Sequence, residues 1–283
     1  MNEHPNSLMI EAYYHQECTQ LMWEDAQTAV SSRLRECKNG LYYPWSLPLC
    51  FAKSTQEIDH VALPISWAWF VLEVAADIFD DIQDGVGKVN VWQTWPLDRS
   101  LPVAIGLLGY AQQTLARLSQ TAAQGMWIQL STLQIRAAYH QATRPSTPKQ
   151  HPSVEAYMQR VSMQSAFWYD FFLRTTMSLL GEGEVDEETV ERVSQFGRDV
   201  GVLSQLFDDL VDMIPNGSQK VGDIVVGRYN LAIILGLQKE TSLAETELTD
   251  LLETTPFSEE VYEQLLMLLD RMGIAQELSL IHI

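Results

Sequence analysis

The chain of 283 residues is long enough for one large domain or two small ones, and with 46% hydrophobic and 19% charged residues it excludes disordered, collagen-like and low-complexity architectures. Its 37 acidic against 18 basic residues leave a net charge of −19, which argues against nucleic acid or an anionic membrane surface as the main partner. A phosphate-bearing ligand of such a chain needs bound cations.

Only 15 Gly and 11 Pro punctuate the sequence, and between them apolar residues recur three and four apart, which predicts an all-α fold. Helices are expected at 8–36, 44–53, 56–84, 100–119, 122–143, 153–180, 186–213, 228–239, 242–253 and 257–273. The stretch 142–152 carries Pro145, Pro148 and Pro152 and reads as a loop before a helix opened by Ser153. It is not taken as a domain boundary, because the two richest acidic motifs lie on either side of it and make sense only together; one domain over 1–283 is expected. Cys18, Cys37 and Cys50 are odd in number and form no CxxC, so reduced packing residues are expected. No signal-peptide pattern and no apolar run of about 18 residues occur, so the expected address is the cytoplasm, without a transmembrane segment.

The first acidic motif, Asp77-Ile78-Phe79-Asp80-Asp81-Ile82-Gln83-Asp84-Gly85, ends a long apolar helix. The second, Gln205-Leu206-Phe207-Asp208-Asp209-Leu210-Val211-Asp212, also ends a long helix and stops at Ile214-Pro215-Asn216-Gly217. Both spell DDxxD, and carboxylates three and four residues apart share a helix face about 6 Å apart. At a helix C-terminus they meet the negative end of the dipole and repel one another. Hard divalent cations offset that cost, since Mg²⁺ takes oxygen ligands and is held by one or two carboxylates together with substrate phosphates. Other metal sites fit worse. An EF-hand loop from Asp80 would place Ile82 and Val91 where oxygen ligands are required; only one Glu-x-x-His, Glu57-Ile58-Asp59-His60, is present for a di-iron bundle; Cys and His have no zinc spacing.

With these motifs the sequence resembles the class I isoprenoid synthases, and within them the trans-isoprenyl (polyprenyl) diphosphate synthases, from about residue 38 to 239. Val91-Trp92-Gln93-Thr94-Trp95 and Ala104-Ile105-Gly106 resemble the stretch after the family's first motif. Gln164-Ser165-Ala166 sits where the family has Lys-Thr-Ala, Gln205 resembles its phenylalanine-glutamine lead-in, and residues 222–231 resemble a segment with Lys at the place of Arg228. The resemblance implies a helical bundle around a deep central cavity, a homodimer, and three Mg²⁺ ions, with Mn²⁺ as a substitute, bridging the acidic motifs to an allylic prenyl diphosphate. It implies direct ligation by Asp80, Asp84 and Asp208, further or water-mediated roles for Asp81, Asp209 and Asp212, and substrate contacts from Gln164, Gln205, Arg228 and Lys88. Ionisation would leave an allylic cation for an acceptor to attack.

The sequence departs from the family where the acceptor, isopentenyl diphosphate, is bound. Asn39-Gly40-Leu41-Tyr42-Tyr43-Pro44 keeps the proline of that stretch and none of its cations, the Arg-Arg-Gly after the first motif is missing, and Lys becomes Gln164. The alternative reading is that Arg33, Arg35 or Lys38, just upstream, supply the charge. The pattern suits an isoprenyl diphosphate synthase-like prenyltransferase whose acceptor is isopentenyl diphosphate or something uncharged, such as a peptide tryptophan. The alternatives are a class I terpene cyclase, with aromatic residues such as Trp67, Trp69, Phe167, Trp168, Tyr169, Phe171 and Phe172 facing the cation, and a non-catalytic regulatory subunit of a prenyl synthase. On the motif's own helix, Ala76, Leu72 and Trp69 lie below Asp80, so small Ala76 leaves the pocket mouth open and Trp69 is the first large obstacle, about 16 Å down at 1.5 Å per residue. Glu73 is expected to turn toward a neighbouring helix.

Overall fold

The computed structural model describes residues 5–21, 23–37, 44–84, 90–118, 123–142, 153–180, 185–211, 229–243, 245–254 and 259–281. Among these the fold is all-α, without strands. In chain order the helices are α1 (Pro5–Thr19), α2 (Glu24–Cys37), the short α3 (Thr55–Glu57), α4 (Leu63–Asp84), α5 (Leu97–Leu118), α6 (Ala123–Ala142), α7 (Val154–Val161), α8 (Phe167–Leu180), α9 (Glu187–Val211), α10 (Leu231–Leu243), α11 (Glu247–Leu252), α12 (Glu259–Arg271) and α13 (Ile274–Ile281). Turns of 3₁₀ helix cover Pro44–Cys50 and Val91–Thr94, and π-helical turns cover Ile58–Ala62 and Ser162–Ala166. The chain divides into two compact units, 1–131 with 170–196 and 132–169 with 197–283, so its crossings fall within α6, α8 and α9.

The first unit is organised by α4. Ser54 and Glu57 form a capping box, Glu57 N donating to Ser54 Oγ at 3.2 Å and Ser54 N to Glu57 Oε2 at 3.2 Å, and start the chain toward it. Thr55–Gln83 is long enough for a membrane span and its most apolar 18-residue window has a mean hydropathy of 1.6, but 72% of that window is buried inside the protein, as in the central helix of a core. It packs on α5, α2, α1 and the Pro44–Cys50 turn. There Phe70 meets Tyr14 and Trp45 at 5.1 and 5.0 Å between ring centroids, and Tyr14 lies 5.1 Å from Trp67.

The second unit is built on α10. Leu231, Ala232, Ile233, Ile234 and Leu237 pack with α7, α9, α12 and α13 through Tyr157, Leu206, Leu265, Leu269 and Ile274. Buried Glu240 accepts hydrogen bonds from Leu248 N at 2.5 Å and from the backbone N and hydroxyl of Thr249 at 3.1 and 2.6 Å, capping α11 from another helix.

The expected helix 8–36 is two helices, because Gln20 and Leu21 close a turn on Glu17 and Cys18 whose carbonyl at Leu21 is taken by Gln27 Nε2 at 3.1 Å. The expected helix 44–53 is a 3₁₀ turn, with Pro48 inside it unable to donate to an α ladder. Helix α13 was not anticipated. Gly273, at φ 73°, ends α12 in the left-handed region and lets the chain restart with Ile274 and Leu278 in the core.

Candidate active site

The first acidic motif lies in the last turn of α4. Asp80 and Asp81 are half-buried. Asp81 Oδ2 accepts from Trp92 Nε1 at 2.6 Å and Asn90 Nδ2 at 3.0 Å, so one carboxylate oxygen is held by the turn that follows the motif. One turn before it, Asp77 Oδ2 pairs with Arg33 Nε of α2 at 3.2 Å, and the same guanidinium reaches Glu73 Oε1 at 3.9 Å. Glu73 thus turns toward a neighbouring helix, and Arg33 is committed to two carboxylates. On the same face Ala76 is exposed, Leu72 is buried, and buried Trp69 stacks flat on Phe172 at 4.7 Å and 4°.

The second motif lies in the last turns of α9. Asp208 is exposed, whereas Asp209 is only 7% exposed and points into its own unit. Tyr157 OH donates to Asp209 Oδ2 at 2.5 Å, Leu231 N donates to the same oxygen at 3.0 Å, and Gln205 Nε2 donates to Oδ1 at 3.2 Å. Three donors from α7, α9 and the start of α10 therefore hold one carboxylate. Gln205 Oε1 accepts from Ser165 Oγ at 3.0 Å, so the amide expected to orient substrate is tied at both ends. Ser165 belongs to the π turn Ser162–Ala166, which carries position 164 and packs closely on α9: a Cβ at Gly201 would lie 2.7 Å from Ala166 Cα. Beside it, Tyr169 OH donates to Ser204 Oγ at 2.9 Å.

The side chains of Asp84 and Gln164, and the residues Lys88, Asp212 and Arg228, lie outside the described residues. So does the cation-poor stretch 38–43. His60 is exposed, as a helix-surface residue is. Of the aromatic residues, Trp67, Trp69, Phe171, Phe172 and Tyr169 are buried packing groups and Phe167 and Trp168 are half-buried. Sequence reasoning passed over Asn90, Trp92, Tyr157 and Ser165 as donors. One signal was present: a tyrosine or tryptophan on an apolar helix face must find a partner for its O–H or N–H once buried.

The donors at both helix ends are carboxylate oxygens, a set that fits a hard divalent cation. Among the described residues no three of His, Cys, Asp and Glu gather into a metal cage; Mg²⁺ asks for fewer, one or two carboxylates with phosphate and water oxygens. In the second unit an open groove of about 960 Å³ between α10, α11 and α12, lined by Lys239, Asp250 and Arg271 among others, holds none of the motif residues.

No curated protein matches the sequence significantly. The fold is similar to that of heptaprenyl diphosphate synthase from Staphylococcus aureus, at a TM-score of 0.77 and 14% identity over 99% of this chain and 88% of that one. It is similar to geranylgeranyl pyrophosphate synthase from Lactobacillus brevis ATCC 367 (0.75, 15%, 96% and 85%) and to a Caulobacter crescentus CB15 polyprenyl synthase complexed with calcium and isoprenyl diphosphate (0.73, 19%, 96% and 84%). The profile of the polyprenyl synthetase family matches residues 45–269, most of the chain and both acidic motifs, and the protein is therefore a divergent member of that family of prenyltransferases.

Proposed function

We propose that the protein ionises an allylic prenyl diphosphate with the help of Mg²⁺ and passes the allylic cation to an acceptor that carries no diphosphate. The observation that carries the reading is the paired construction of the motifs. In each, the second aspartate, Asp81 or Asp209, is engaged by donors of its own unit, and the first, Asp80 or Asp208, stands beside it at the helix end. Asp80, Asp84, Asp208 and Asp212 would hold the cations. When bound there, Mg²⁺ or Mn²⁺ supplies the positive charge that neutralises a departing diphosphate. The chain's own part is to fix Asp81 and Asp209, beside Asp80 and Asp208, through donors of their own units and to hold the isoprenoid tail below Ala76, down to the stacked rings of Trp69 and Phe172.

The acceptor assignment is supported by the cations. Of the three upstream cations, Arg33 is paired with Asp77 and Glu73, and residues 39–44 have no Lys or Arg. An uncharged acceptor, such as a peptide tryptophan, needs no such site. The interleaving of the two units along the chain supports one functional domain over 1–283, and Cys18 and Cys50, free thiols among the described residues, support a cytoplasmic address. A homodimer is supported by Leu97, Leu101 and Ile105, which stand 58%, 38% and 56% exposed at four-residue intervals on α5, with Gly109 opening onto empty space one turn on.

The test is incubation with geranyl or farnesyl diphosphate and Mg²⁺, with and without isopentenyl diphosphate or a tryptophan-containing peptide, followed by mass spectrometry of the products. A prenylated peptide is expected. A longer diphosphate as the dominant product overturns the acceptor assignment, and hydrocarbon products transfer the reading to a terpene cyclase.

A further inference from the structure

The last turn of α9 is a place where a helix should fray. Toward the C-terminal side of α9 the negative end of the dipole meets adjacent carboxylates that repel each other. One device opposes this: Asp209 is drawn into the unit by Tyr157, Gln205 and the backbone of Leu231. The Tyr157 bond, at 2.5 Å to a buried carboxylate, is a short charge-assisted bond and comes from the most distant point in the sequence, 52 residues away. The guanidinium of Arg160 stands 5.2 Å over the Tyr157 ring, where it draws electron density from the phenol and makes its O–H a stronger donor. Arg160 also donates to Tyr229 O at 3.2 Å, pinning the segment that delivers the Leu231 N–H.

Successive residues on a helix point about 100° apart. A fixed Asp209 therefore fixes the direction of Asp208, which is exposed beside it. We propose that Tyr157 is a positioning residue for the second acidic motif: through its hydrogen bond to Asp209 it sets the angle at which Asp208 meets a divalent cation. This rests on the metal reading above and adds to it a residue whose effect on cation affinity is exerted through another side chain.

The experiment measures Mn²⁺ binding, in the presence of inorganic diphosphate, by electron paramagnetic resonance of the free ion. The full-length protein is compared with Tyr157→Phe, Asp209→Asn, the double variant, Asp208→Ala, and Tyr169→Phe, which removes a tyrosine hydroxyl that donates to Ser204 instead. Thermal midpoints are recorded without metal. Tyr157→Phe is expected to weaken Mn²⁺ binding about tenfold while lowering the midpoint no more than Tyr169→Phe does, and the double variant to bind no worse than Asp209→Asn alone. Should Tyr157→Phe not fold, Gln205→Met removes another donor to the same carboxylate and is expected to weaken binding about twofold. Wild-type Mn²⁺ affinity in the folded Tyr157→Phe protein, or in Gln205→Met where that replaces it, or additive losses in the double variant, overturns the inference. Loss of binding in Asp208→Ala beside wild-type binding in Tyr157→Phe overturns this inference alone, and undiminished binding in Asp208→Ala overturns the metal reading and this inference with it.

Discussion

The two DDxxD motifs share a pattern and differ in what holds them. Asp81 is held locally, by Asn90 and Trp92, nine and eleven residues further on. Asp209 is held by the tertiary structure, through Tyr157 and Leu231, 52 and 22 residues away. Asp81 is half-buried with one oxygen engaged, whereas Asp209 is 7% exposed with donors on both oxygens. The first motif therefore depends on the turn that follows it, and the second on the packing of α7, α9 and α10. A family pattern legible in sequence conceals two different routes by which a change elsewhere reaches the carboxylates.

The largest expected effects come from the residues the two motifs share. Asp80→Ala and Asp208→Ala should each lower turnover at least about a thousandfold while leaving the thermal midpoint unchanged or higher, because each removes a like-charge neighbour at a helix end. Steady-state kinetics with scanning calorimetry on the same samples checks both halves of that statement. Next is Gly201→Ala. Its Cβ would meet the backbone of Ala166 at 2.7 Å and push the π turn off α9, so a loss of about 2 kcal/mol in denaturant unfolding is expected, with impaired activity through the second motif.

Trp92→Phe should separate the motifs. Removing the indole N–H takes the 2.6 Å donor from Asp81, so about a tenfold loss of turnover is expected, with the response to Mg²⁺ concentration shifted upward. An unchanged Mg²⁺ response would place Asp81 outside cation binding. Chain length is expected to be governed on the first motif's side. Ala76→Phe should shorten the prenyl chain accepted, and Trp69→Ala, which breaks the stack on Phe172, should lengthen it; product or substrate preference unchanged in both would remove this helix face from the cavity.

The smallest effect lies far from either motif. Asp186 caps α9 by accepting from Thr189 N at 2.7 Å and Thr189 Oγ1 at 3.0 Å, and those bonds hold its carboxyl below the usual carboxylate range. A folded pKa below the unfolded one gives stability that is present above the unfolded value and lost as pH falls through the folded one. Asp186→Ala should therefore lower the unfolding midpoint slightly at neutral pH and not at all in strong acid.

Helix periodicity and the two acidic motifs were legible in the sequence because both are local: apolar spacing of three and four, and carboxylates within one turn. The break at Gln20 and Leu21 was not, since its stability comes from Gln27 reaching back to a carbonyl, and neither was α13, which hangs on one glycine at positive φ. At the site, the acidic residues could be chosen from spacing, but not the division between those held inward and those presented. That division depends on Tyr157 and Trp92, whose types suit plain core positions. Glu240 is the same case: a lone acid in an apolar helix, explained only when α11 brings its N-terminus to it.

The measurement that bears most directly on the account is diphosphate release from farnesyl diphosphate without isopentenyl diphosphate, followed while Mg²⁺ is titrated against EDTA. The account predicts release that rises with Mg²⁺, stops in EDTA, is restored by Mn²⁺, and is faster when an uncharged acceptor is present. Release that continues undiminished in EDTA, or that requires isopentenyl diphosphate, would contradict it.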